Sequence, residues 1–310
     1  MRVRSVALVG LGGLATTAAS AHRRARRVAK IWQPPAGVPH RAGALAVRTL
    51  GDTGSPVVLL HGLVASGLFW GAAYDRLSEH HRLVVPDLLG FGGSDRPAHG
   101  YGPDDHVEAL IGCLDALGID TPVTIGAHSL GCLIALRMAS YHPRRVAGVV
   151  GFGPPLYANR VDASARIGAS GPMARLFALP GPVAKLACGW LCDHHAIATR
   201  LAVLTHPRLP KAVAADAVEH SWTSYSMTMT KVILDAGGTQ WLGAVDTAVQ
   251  FIAGDRDRVV DRRLLVNLQA AQRVAVQIWP GRHDLPLVNP VRCATTIADF
   301  AVTQSSSPGG

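Results

Sequence analysis

The segment Ile125-Gly126-Ala127-His128-Ser129-Leu130-Gly131 joins a short apolar run to a helical pattern. A serine hydroxyl can act as a nucleophile when it stands on a sharp strand-to-helix turn. Such a turn demands very small residues two positions before and two after it. Ala127 and Gly131 meet that demand. The same turn would put the backbone N–H of Leu130 at a helix N-terminus, where it can stabilise an oxyanion. Taken alone the segment has a second reading, because Ser-x-Gly also occurs as a plain helix cap. Upstream, Val57-Val58-Leu59-Leu60-His61-Gly62-Leu63 is an apolar strand pattern ending in His-Gly. Gly62 allows the chain to turn tightly there, so the N–H of Leu63 can supply a second oxyanion donor.

Between these segments lies Pro86-Asp87-Leu88-Leu89-Gly90-Phe91-Gly92-Gly93-Ser94-Asp95-Arg96-Pro97. With it the chain resembles the α/β-hydrolase superfamily, whose members carry a very similar Asp-x-x-Gly-x-Gly-x-Ser segment. The resemblance runs from residue 45 to 300, and residues 154–245 match in position only. It implies a triad in the chain order nucleophile, acid, histidine. The acid is expected in a Gly-x-x-Asp turn after a late strand, which falls on Asp257 in Gly254-Asp255-Arg256-Asp257. The histidine is expected after the last strand, which falls on His283 in Gly281-Arg282-His283-Asp284. Ser129 is a poor nucleophile until an imidazole takes its proton, and a carboxylate sets that imidazole's tautomer.

Three positions depart from the commoner pattern: Ala127 for Gly, Arg282 for Gly before the histidine, and Cys132 for a second small residue after the elbow. None removes a functional group, although Arg282 could disfavour a charged histidine or bind an anionic substrate. A serine at the elbow argues against the dehalogenase and epoxide-hydrolase branches, which use aspartate there. What the resemblance then leaves is ester, thioester, lactone and some carbon–carbon bond hydrolysis, plus acyl transfer. The expectation is hydrolysis of an ester or related acyl bond through an acyl-enzyme, with no cofactor or metal. The apolar block 154–245, with the N-terminal apolar segment, favours a hydrophobic acyl substrate. Haloperoxidase-like or acyltransferase activity on the same triad, and a non-catalytic ligand-binding role, are the alternatives.

Other polar residues near these motifs have plainer expected roles. Asp255 is the rival of Asp257 and is expected to cap its turn. Asp284 is expected to be structural, His128 a packed neighbour of the nucleophile, and His61 a brace for the oxyanion loop. Asp87 and Ser94 are expected to satisfy backbone groups in their own turn. Cys188-x-x-x-Cys192-Asp193-His194-His195 could chelate a metal, but no second cluster with ligand spacing accompanies it, so packed thiols are the simpler reading. Trp222-Thr223-Ser224-Tyr225-Ser226-Met227 either lines the pocket or packs within its own block.

These residues need a scaffold to bring them together. Apolar runs predict strands over 45–49, 56–60, 82–86, 123–126, 146–152, 248–253 and 274–279. Helical periodicity predicts helices over 68–78, 103–117, 130–141, 262–271 and 288–300. Strands without polar alternation, each followed by a helix, indicate an α/β fold: a mostly parallel central sheet with helices on both faces. Residues 154–245 hold helical patterns and Gly-Pro breaks but no strand pattern, and are too long for an ordinary loop. They are expected to form a helical cap inserted between the two parts of the core, 41–153 and 246–303. Residues 304–310 are expected to be a disordered tail.

The chain has 310 residues, nearly half of them apolar, enough for a large core. Its net charge of +9 is not spread over that core. Nine basic residues precede the first acid, Asp52, and the remaining 21 basic residues balance 21 acidic ones. No basic face for nucleic acid is expected. Within residues 1–40, the apolar run 5–21 lies between Arg2/Arg4 and the cluster Arg23, Arg24, Arg26, Arg27. It is short for a span of roughly 20 residues, and the charge behind it disfavours export as a signal peptide. Contact of residues 1–30 with a membrane surface, with the domain on the cytoplasmic side, is the expectation. Gly10-x-Gly12-x-x-Ala15 in that run lacks the acid that a dinucleotide ribose needs some 20 positions on. Five cysteines form no disulfide framework and suit reduced, mostly buried thiols.

Overall fold

Eight strands form one sheet in the order β1-β2-β4-β3-β5-β6-β7-β8. They are β1 His40–Ala42, β2 Leu45–Leu50, β3 Pro56–Leu60, β4 Arg82–Pro86, β5 Val123–His128, β6 Val146–Phe152, β7 Ala248–Gly254 and β8 Val274–Trp279. β2 runs antiparallel to β1 and β4, and every other pairing is parallel. The computed structural model describes residues 31–170, 181–205, 209–235, 237–270 and 274–305. All seven expected strands are present. β1 is additional: it is three residues long, with His40 and Arg41 exposed, so it leaves no apolar run to read.

The apolar runs are explained by burial on both faces of the sheet. In β3, Val57 and Leu59 join the core on one side, and Val58 and Leu60 join the core on the other. Successive strand residues point to opposite faces, so a sheet covered twice needs apolar residues at every position. The helices of the core are α1 Pro103–Ala116 and α2 Leu130–Tyr141, followed after the insertion by α9 Arg262–Gln269, α10 Leu285–Val288 and α11 Pro290–Ser305. Asp105 Oδ2 accepts the N–H of Gly102 at 2.7 Å to start α1, with proline in the first position.

Two expected helices differ. In place of one helix over 68–78 there are two 3₁₀ segments, Gly67–Phe69 and Ala72–Glu79. The N–H of Ala72 donates to the Gln33 carbonyl at 3.0 Å instead of to a helical partner. Gly71 packs so closely there that a Cβ would lie 2.6 Å from that oxygen. The expected 288–300 helix is α10 and α11, broken at Asn289 because Pro290 opens a new helix. α11 runs on to Ser305, so residues 304 and 305 are helical, not tail.

Between β6 and β7 the described residues contain helices and no strand: α3 Arg160–Ala169, α4 Pro182–Asp193, α5 His195–Thr205, α6 Lys211–Asp216, α7 Trp222–Thr228 with a π turn over Met229–Leu234, and α8 Gly238–Gly243. This insertion returns to the core at the Asp87–Ser94 turn, where Phe91 bridges His220 and the Gly92 N–H donates to the Glu219 carbonyl at 2.9 Å. The apolar run 5–21, the arginine cluster behind it and residues 306–310 lie outside the described residues. Among the described residues no helix is long and apolar enough to cross a membrane.

Candidate active site

Ser129 stands between the end of β5 and the start of α2 with φ 51 and ψ −116. An L-residue rarely adopts positive φ, and this strain aims the side chain out of the turn. The surroundings hold it there. Its N–H donates to the Phe152 carbonyl at 3.0 Å, and its own carbonyl accepts the Cys132 N–H at 2.9 Å. Gly131 lies so close to β3 that a Cβ would stand 2.5 Å from the Leu60 carbonyl oxygen. The small residue after the nucleophile is therefore a packing requirement. Cys132 fits the elbow too: its buried thiol donates weakly to the Ala127 and Phe152 carbonyls, and burial pushes the thiol well up.

The loops after β7 and β8 bring the other two groups to this serine. His283 Nε2 lies 2.9 Å from Ser129 Oγ, and His283 Nδ1 lies 2.8 Å from Asp257 Oδ2. The Asp257 side chain is fully buried, and its Oδ1 accepts the backbone N–H groups of Val259 at 2.9 Å and Val260 at 3.4 Å. Burial alone would raise its pKa. The charge and hydrogen bond of His283, with the two backbone bonds, outweigh burial and hold it below the ordinary value. Asp257 is thus an ionised acceptor, which requires Nδ1 of His283 to carry the proton. Nε2 is left with a lone pair facing the Ser129 hydroxyl, as proton abstraction needs.

Asp255, the rival carboxylate, has another task. Its Oδ1 accepts the Gly281 N–H at 2.7 Å and pairs with Arg256. Arg256 N–H in turn donates to the Gly281 carbonyl at 2.9 Å, so the Asp257 and His283 turns are tied to each other. Asp284 accepts the N–H groups of Leu287 and Val288 through its backbone carbonyl and starts α10. Asp87 binds the Gly67 and Gly93 N–H groups, each at 2.7 Å, and Ser94 Oγ donates to the Asp87 carbonyl at 2.6 Å. His61 accepts the Leu88 N–H on Nε2 at 2.8 Å, so its Nδ1–H donates to the Gly62 carbonyl at 2.8 Å. Burial lowers its pKa and keeps it neutral, as that pair of bonds requires.

β3 leaves the sheet beside the nucleophile: a Cβ on Gly62 would lie 3.2 Å from Ser129 Cβ. Leu63 follows, and then Val64 at φ 52. Ser129 and Val64 are the two non-glycine residues with positive φ among the described residues, and each is the chain neighbour of one expected oxyanion donor, Leu130 and Leu63. A β-branched residue in that region is a marked outlier, and such strain gathers at functional sites.

Three features were not legible in the sequence. His128 is more than a packed neighbour: its Nε2–H donates to the His283 backbone carbonyl at 2.9 Å, and its ring stacks on Phe69 at 4.7 Å. Burial and the nearby His283 depress its pKa to about 3. Gly153, at φ +62, lies against the triad, since a Cβ there would be 2.9 Å from His283 Nδ1. The third is the strain at Val64. The block 222–227 packs rather than opens at Ser224 and Tyr225, which are buried. Cys188 Sγ lies 3.9 Å from His220 Nε2. No three His, Cys, Asp or Glu side chains converge as for a metal among the described residues, which leave out the side chains of Cys192 and Asp193.

The family model for the alpha/beta hydrolase fold matches residues 55–290, which is most of the chain and all of this site. The chain belongs to the α/β-hydrolase fold family. Within it, the chain is 40% identical over 105 residues to a 2-hydroxy-6-oxo-2,4-heptadienoate hydrolase of Pseudomonas putida, covering 32% of this chain and 37% of that protein. It is 35% identical over 104 residues to a haloalkane dehalogenase of Agrobacterium fabrum, covering 34% of each. The matches thus span little more than a third of these curated relatives. Among solved structures, E-2-(acetamidomethylene)succinate hydrolase superposes with a TM-score of 0.66 at 18% identity, covering 85% of this chain and 98% of that one. The enol-lactonase of Burkholderia xenovorans superposes with a TM-score of 0.63 at 18% identity, covering 86% and 100%. At these identities the superpositions establish the fold.

Proposed function

We propose that this hydrolase cleaves an ester or related acyl bond of a hydrophobic small molecule through an acyl-enzyme on Ser129. The observation that carries the proposal is the continuous chain Ser129 Oγ–His283 Nε2–His283 Nδ1–Asp257 Oδ2, with links of 2.9 and 2.8 Å on a strained elbow. His283 takes the hydroxyl proton as Oγ attacks the acyl carbon. The N–H groups of Leu63 and Leu130 receive the developing oxyanion, and the imidazolium returns the proton to the leaving group. A water, deprotonated by the same nitrogen, then releases the acid. Partly buried Leu63 and Val64, which follow directly on the Gly62 that adjoins Ser129, support an apolar acyl group.

The serine also argues against the dehalogenase and epoxide-hydrolase branches, because a carboxylate nucleophile displaces at a saturated carbon whereas a serine oxygen adds to an acyl carbon. A second reading is favoured by the relatives named for oxo-dienoate and hydroxymuconate semialdehyde hydrolysis: water addition at a ketone carbon with cleavage of the adjacent carbon–carbon bond. Treating the purified protein with a fluorophosphonate, beside Ser129→Ala and His283→Ala, tests the mechanism. Labelling of Ser129 that both substitutions abolish is the expected result. Folded protein that takes no label would overturn it. Product analysis on aryl esters against 2-hydroxy-6-oxo acids then separates the two readings.

Membrane-surface contact through residues 1–30, with the domain on the cytoplasmic side, belongs to the same proposal. The basic cluster behind the apolar run supports it. A reporter fused to residues 1–30 that fractionates as fully soluble would overturn it.

A further inference from the structure

Helices α4 and α5 of the insertion are packed inside out. The residues they bury are small, with Ala184, Cys188 and Ala198 at 5% exposure or less. The residues they turn outward are large and apolar: Val183, Leu186 and Trp190 on α4, and Ile197, Leu201 and Leu204 on α5. Leu186 is 75% exposed and Leu204 is 76% exposed. Spacings of three and four residues make each set one continuous stripe. A helix that meets only water normally points its leucines inward and its polar residues outward, so this arrangement needs another medium on its outer side.

The charge around the stripes indicates which medium. From Ala163 to Ala215 the chain carries six basic residues and a single acid, Asp193. Lys185 and Arg200 stand exposed on the same two helices as the stripes. Trp190 is held by a stacked contact with His194, ring centroids 4.4 Å apart, and the His194 ring bonds the Trp190 carbonyl at 2.8 Å. A fixed indole with aliphatic neighbours and flanking cations suits the boundary between lipid headgroups and acyl chains.

We infer that the outward face of α4 and α5 docks onto a membrane surface rich in anionic lipid, lying in the interface without crossing it. The docking places the insertion, and not only the N-terminal segment, against lipid. It stands apart from the acyl-bond proposal, because no triad residue takes part.

The test is co-sedimentation of the full chain with vesicles of phosphatidylcholine alone and of phosphatidylcholine mixed with phosphatidylglycerol. Residues 1–30 are intact in every protein compared. The expected result is binding to the mixed vesicles, weaker binding to the neutral ones, and loss of Trp190 emission shift in Trp190→Phe. The triple variant Leu186→Gln, Trp190→Gln, Leu204→Gln should partition at least about tenfold more weakly, since burying one leucine-sized side chain alone is worth that factor. Hydrolysis of a soluble ester by the same variant should be unchanged, which shows that it is folded. Unchanged vesicle binding by the triple variant would overturn the inference and leave lipid contact to residues 1–30. Absence of vesicle binding together with a dimer that the triple variant splits would also overturn it, making the face a contact between two copies.

Discussion

Replacing Gly153 by alanine is the sharpest test of how the triad is positioned. Gly153 follows β6, its N–H donates to the Ile252 carbonyl at 2.8 Å, and it sits at φ +62. Two costs follow. The left-handed backbone disfavours an L side chain by about 1–2 kcal/mol. The new Cβ would also lie 2.9 Å from His283 Nδ1, 3.0 Å from its Cε1 and 3.4 Å from Asp257 Oδ2. Relieving the first two contacts pushes the imidazole by about half an ångström, at the ring edge that bonds Asp257. Displacements of about 1 Å in a catalytic group cost on the order of a hundredfold in rate, so kcat should fall about ten- to a hundredfold while KM changes little. Gly118→Ala separates the two costs. Gly118 has φ +66, but a Cβ there meets nothing within 4 Å. Steady-state hydrolysis of an aryl ester and urea unfolding of both variants form the assay. Gly118→Ala should lose about 1–2 kcal/mol of stability and no rate, and Gly153→Ala should lose more stability than that and lose rate as well. If Gly153→Ala keeps kcat within about twofold of the parent at the same stability loss as Gly118→Ala, the steric reasoning is refuted.

Further expectations come from neighbouring groups. Asp257→Asn should leave a folded protein with kcat lowered about 10³–10⁴-fold, because the amide can favour the wrong imidazole tautomer; retention of most activity would exclude Asp257 as the orienting group. His128→Leu removes the donor to the His283 carbonyl, so urea unfolding should show a loss of about 1–3 kcal/mol, with kcat reduced more than KM; a variant as stable and active as the parent would show that this bond positions nothing. Burial pushes the Asp216 carboxyl up to about 6, a bond from Ser66 works against this, and Asp87 and Glu219 add to the rise. The folded protein therefore holds that proton more tightly than the unfolded chain, whose aspartate pKa is about 3.9, and stability is lost as pH rises through about 6. Asp216→Asn should raise the unfolding free energy by at most about 3 kcal/mol near pH 8 and hardly change it near pH 4; equal effects at both would refute the assignment.

What could be read from the sequence was local. The central strands β3, β5 and β6 are buried on both faces almost throughout and read as apolar runs. Edge strand β8, although partly exposed, is apolar enough to be read too, while three-residue β1, exposed at His40 and Arg41, is not. The elbow was legible because its demand for small residues at Ala127 and Gly131 acts within a few positions of Ser129. The resemblance then pointed to His283 and, through its Gly-x-x-Asp turn, to Asp257 with Asp255 as the rival. What only the tertiary structure decided involves distant partners. His283 is 154 residues from Ser129, and their contact depends on the order and register of β5, β6, β7 and β8. The 3₁₀ form of Ala72–Glu79 depends on Gln33, which no periodicity within 68–78 encodes. The roles of Gly153 and His128 arise from atoms of His283 that reach them across the sheet's edge. Spacing and side-chain type constrain what a residue meets within a turn or a strand. Beyond that range the neighbours are set by how strands pair and helices pack, and the same glycine or histidine can be a bland turn residue or part of a site.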